Sequence, residues 1–111
     1  MTVPQRWFVI LICGACCVPA IAQTTEVPPE LWDRPRTGAL VLAQESLKRV
    51  VVAALAEPSA QIVIHHPAGQ EPQIQAEELR SWLGALAIDL RRILLRSDLG
   101  SGAPMKMELV R

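Results

Sequence analysis

The 111-residue chain carries 11 basic and 11 acidic residues, and half of its residues are hydrophobic; this length has room for one compact core and not for two. Such a balance of charge lacks the concentrated basic face that neutralises phosphates, which argues against nucleic acid as a partner and against electrostatic attachment to a membrane.

Residues 1–22 read as an export signal. Arg6 and the free amino group supply positive charge, Phe8-Val9-Ile10-Leu11-Ile12 with its flanking residues supplies an apolar stretch, and Ala20 and Ala22 are the small residues that a signal peptidase requires. Arg6 bounds the apolar stretch and Gly14 and Pro19 break it, so it falls short of the roughly 20 residues of a bilayer span. Cleavage at Ala20-Ile21-Ala22 is expected, giving a periplasmic or secreted protein with no membrane span in its mature form. Taking 22 residues from 111 leaves 89, with 10 basic groups against 11 acidic ones because only Arg6 is lost.

All three cysteines, Cys13, Cys16 and Cys17, lie in that segment. The mature domain therefore has neither disulfides nor thiol chemistry, and must rely on its apolar core, a partner or both. Cys13-Gly14-Ala15-Cys16 leaves one alternative open, lipidation at Cys16, which would tether the domain by acyl chains.

Residues 23–37 hold three prolines and little apolar periodicity, the composition of an extended leader. Leu31-Trp32 is an apolar pair within it that either folds back onto the domain or is offered to a partner. A domain is expected from Gly38 to Arg111. Ala39-Leu40-Val41-Leu42 suits a first strand by its length. Leu47, Val50, Val51, Ala54 and Leu55 then fall on one helical face, and Pro58-Ser59 closes that helix. Ala60-Gln61-Ile62-Val63-Ile64-His65 is dense in β-branched residues and reads as a central strand. After a loop containing Gly69, a second helix buries Ile74, Leu79, Trp82, Leu83 and Leu86. Residues 92–96 and 105–110 read as two further strands, the last with one buried face because its apolar residues alternate. The expectation is an α/β protein of the two-layer α+β kind, ordered βαβαββ, with a small mixed sheet and two helices packed on one face.

Several of these residues resemble the OmpA-like domain, an envelope module whose members commonly bind peptidoglycan. Ile62-Val63-Ile64-His65-His66 looks like that family's strand and its histidine, and Leu83-Gly84-Ala85-Leu86-Ala87-Ile88 with Arg92-Ile93 resembles its helix exit and next strand. The resemblance spans roughly residues 38–111 and implies the fold. It implies no transfer of the ligand-binding pair: Ala68 stands where the family has an aspartate and Gln75 where it has an arginine, and neither can pair an ammonium or a carboxylate.

No catalytic constellation emerges. The serines sit in no Gly-x-Ser-x-Gly elbow and Glu77-Glu78 diverge on a helix, so neither nucleophilic nor paired-carboxylate chemistry has support. Adjacent His65 and His66 would point to opposite sides of a strand, which disfavours a shared metal, and no cofactor motif is present. Arg91, Arg92 and Arg96 form the one local basic cluster, read either as solvated surface or as a patch for an anionic ligand. The expected function is a non-catalytic accessory or binding domain of the cell envelope, its partner an envelope protein or a cell-wall polymer. The alternative is a structural subunit of an envelope or secretion assembly, docking through Leu31 and Trp32.

Overall fold

The computed structural model describes residues 23–111; the expected export signal, the cleavage expected at Ala20 and Ala22, and the Cys16 alternative lie outside the described residues. Strand β2 (Gln61–Pro67) follows the turn at Pro58-Ser59, and its β-branched residues suit a pleated ladder with neighbours on both sides. It pairs in parallel with β3 (Ile93–Leu99) and antiparallel with β4 (Lys106–Val110). β4 also pairs antiparallel with β1 (Gln23–Glu26), giving a four-stranded mixed sheet of order β1-β4-β2-β3.

Register decides which side chains share a face. Ile62 lies opposite Ile93 and Leu109, and Ile64 lies opposite Leu95 and Met107, so these side chains project together into the core. Helix α2 (Glu45–Ala56) lays Leu47, Val50, Val51 and Ala54 on that core, and α3 (Gln70–Ala85) lays Ala76, Leu79 and Leu83. Both long helices thus cover one face of the sheet, the two-layer α+β arrangement expected. The opposite face presents Val63, His65, Leu94, Arg96, Lys106 and Glu108.

Two segments depart from the expectation. Ala39-Leu40-Val41-Leu42 is not a strand but most of α1 (Gly38–Ala43), whose amino end is capped by Leu40 N donating to Thr37 Oγ1 at 3.0 Å. A four-residue apolar run has no periodicity with which to separate strand from helix, and here Val41 alone is fully buried while Leu42 is exposed. The first strand comes instead from residues 23–26, within the expected leader. Val27 extends this attachment, its N donating to Met105 O at 2.8 Å. A 3-10 turn (Pro29–Asp33) then drops Leu31 into the core, where it is 2% exposed. Smaller departures fall on the amphipathic stripes, where Leu55 and Ile74 are exposed rather than buried.

Gly69, at φ 124° and ψ 161°, turns the chain from β2 into α3, a backbone region essentially confined to glycine. At the far end, Ile88 N donates to Leu83 O and Ala87 N to Gly84 O, a Schellman closure with Ala87 at φ 82°. These two ends hold α3 against the parallel β2–β3 pair.

Candidate binding cleft

A cleft of about 330 Å³ opens where β2 ends and α3 begins. Its walls are Pro67 and Ala68 at the end of β2, Pro72 and Gln75 on the first turns of α3, Val27, Pro29 and Trp32, and the loop that leads into β4. The parallel strands of an open sheet leave such a crevice beyond their carboxyl ends, because the chain turns away there into the crossover helix. No residue lining this cleft carries a charge. Ala68 and Gln75, separated by six residues in the sequence, line it together.

Trp32 and Gln75 are shared with a second groove, formed with Arg36, Ile74 and Glu78. The position of Trp32 is set by a polar latch between the chain before α1 and helix α3. The Arg36 guanidinium meets the Glu78 carboxylate in two hydrogen bonds, Nε to Oε2 at 2.6 Å and Nη2 to Oε1 at 3.0 Å, the planar fork that arginine alone provides. Trp82 Nε1 donates to the same Oε2 at 3.1 Å, and the guanidinium lies 5.3 Å from the Trp32 ring centroid. The Arg36 hydrogen bond holds the Glu78 carboxyl below the usual range, against the opposing effect of partial burial. Leu31 and Trp32 are therefore packed on their own domain: Leu31 is core, and Trp32 is half-buried against it. Of the pair, only Trp32 retains surface for a partner.

The arginine cluster divides three ways. Arg92 donates Nε to Ala60 O at 2.8 Å, and Nη2 to Ala54 O at 2.8 Å and Glu57 O at 2.9 Å. It thereby closes the carboxyl end of α2, where carbonyls lack helical partners and a cation is favoured. Arg91 pairs with Asp89 at 2.7 Å and is otherwise solvated; the Arg91 side-chain and backbone hydrogen bonds hold the Asp89 carboxyl down at about 2. Arg96 stands on the outer sheet face, opposite His65 in the ladder. The three guanidiniums thus have separate surroundings and do not converge on one anion.

His65 and His66 diverge, as alternation requires. His66 is buried, its Nδ1 2.8 Å from Pro67 O. His65 lies on the outer face with Nε2 2.9 Å from Glu108 Oε1 and Nδ1 2.9 Å from both Asp98 oxygens. This clamp joins β3, β2 and β4, and sequence reading missed it because Asp98 and Glu108 lie 33 and 43 residues away. The carboxylates flank opposite edges of the ring, and among the described residues no three His, Cys, Asp or Glu side chains are placed to hold a metal ion. Among the described residues, too, no helix is long and apolar enough to cross a membrane.

Compared with known proteins, the chain matches no family model, no curated protein and no solved structure.

Proposed function

We propose that this chain is a non-catalytic binding domain of the cell envelope, exported by its amino-terminal segment, which holds an uncharged, partly apolar segment of an envelope protein in the cleft beside Trp32. The observation that carries this reading is the cleft's composition: prolines, Val27, Met105 and an indole supply apolar area, while the Gln75 amide and the Ser101 hydroxyl supply uncharged hydrogen-bonding groups. A ligand bearing paired charges would lose its water there without gaining a partner. The positions that the OmpA-like resemblance aligns with a ligand-binding acid and arginine, Ala68 and Gln75, both border this cleft. The reading thus keeps that family's place of binding and alters its chemistry, from a zwitterion to a neutral group.

Ala68→Arg tests it, because Ala68 is exposed and the substitution fills the cleft mouth without entering the core. Envelope extract passed over immobilised wild type should yield a retained protein that the Ala68→Arg column loses at least tenfold. Equal retention by both columns would sink the cleft as the contact surface, and retention of sedimented peptidoglycan instead would favour a cell-wall polymer as ligand.

A further inference from the structure

We propose that the outer edge of β3 joins the same edge of a second copy of this chain, forming one continuous eight-stranded sheet about a two-fold axis. Among the described residues β3 is paired on one side only, with β2; Arg80 Nε donates to the Ile93 carbonyl at its start, and beyond that residue its other side has no strand partner for its backbone donors and acceptors.

The occupant follows from the charges on that strand. Arg96, Ser97 and Asp98 are all exposed. In an antiparallel pair centred on Ser97, Arg96 of each copy stands beside Asp98 of the other. Two reciprocal cation–carboxylate pairs form, both on the outer face that carries His65. Opposite charges across strands favour a register and like charges oppose it, so this strand is complementary to itself in a way that an isologous interface requires. Asp98 already accepts from His65, but a carboxylate has about four lone-pair sites and can also take the incoming guanidinium. The β2–β3 pairing slips by one residue between His65 and Pro67, which twists this stretch and keeps the new ladder short; the charge pairs, rather than ladder length, set its register.

The helical layer fits the same symmetry. A two-fold axis perpendicular to the sheet leaves both helical layers on one side. Helix α3 packs on both β2 and β3, so its mate would lie two strand spacings away, about 10 Å, close to the separation at which helices pack. The groove of about 480 Å³ that Glu77, Arg80 and Ser81 form beside Ile93, Leu94 and Leu95 would receive that neighbour. This assembly leaves the Trp32 cleft untouched and does not depend on it.

Light scattering on the purified protein over a concentration series tests the proposal together with Arg96→Asp and Asp98→Arg. Wild type should reach twice the monomer mass. Each variant alone should remain monomeric, because the first places two acids and the second two bases on the strand, while the two mixed together should recover the doubled mass. Wild type that stays monomeric at every concentration overturns the proposal and leaves the edge to an extended segment of another protein. Variants that dimerise like wild type, or a mixture that does not pair, overturn it equally. Should a variant fail to fold by circular dichroism, amide exchange on wild type decides: the β3 amides should slow as concentration rises, and exchange independent of concentration refutes the edge contact.

Discussion

His65 Nε2 lies 2.9 Å from Glu108 Oε1 across the β2–β4 ladder, and its other nitrogen meets Asp98 on β3. Partial burial alone would lower the imidazole pKa, but hydrogen bonds to Glu108 and Asp98 and their negative charges outweigh it, so the group stands above its ordinary 6.5. Arg96 and Lys106, which flank His65 in the ladder, are the nearby cations.

Because the folded value is raised, protonated His65 contributes stability that is fully present below the unfolded pKa and is lost as pH rises through the folded one. Asp98 is held below its ordinary value by the same His65 hydrogen bond, so its contribution is present above that ordinary value and is lost as acid takes pH down through the folded one. Denaturant midpoints should therefore increase when pH is lowered from about 8 to about 6, and His65→Gln should flatten that slope. A variant whose midpoint kept the wild-type dependence would show that the clamp does not link protonation to folding.

Leu31 and Trp32 are neighbours with different tasks. Leu31→Ala should destabilise the domain by about 2–4 kcal/mol, as removal of a fully buried leucine does, whereas Trp32→Ala should cost less and act on cleft binding. Deleting residues 23–35 removes β1 and Leu31 together and should abolish cooperative unfolding. Urea melts monitored by far-ultraviolet circular dichroism check this, and a Leu31→Ala domain as stable as wild type would return that residue to the role of a partner contact.

Arg92 is expected to be structural. Arg92→Ala leaves the carbonyls of Ala54, Glu57 and Ala60 without their charged donor and should cost about 2 kcal/mol, in the range for hydrogen bonds to charged groups. Arg92→Lys should recover only part of this, because an ammonium cannot span three carbonyls as a guanidinium does. Arg91→Ala should leave the melting temperature near wild type, since an exposed pair contributes little. Equal losses for Arg91→Ala and Arg92→Ala would contradict this division.

Much of the architecture is legible along the chain because both periodicities are local. The 3.6-residue spacing of Leu47, Val50, Val51 and Ala54, the β-branched run at Ile62-Val63-Ile64 and the alternation at Met107 and Leu109 each name a buried face without reference to anything distant. The expected leader misled because composition describes a segment without its neighbour: Thr24 and Thr25 become a strand only through β4, some 80 residues on. The arginine cluster misled for the same reason, since adjacency in sequence says nothing of the α2 carbonyls that Arg92 reaches.

A cysteine-free stretch after residue 22, two long amphipathic helices and strands at β2, β3 and β4 are written along the chain, because side-chain periodicity and turn chemistry act over a few residues. Contacts between distant segments make residues 23–26 an edge strand and Leu31 core, bring Trp32, Ala68 and Gln75 to one charge-free cleft, and join His65 to two carboxylates from neighbouring strands. Those relationships depend on strand order and register, which are settled by which faces can be buried together and not by any one segment's preference.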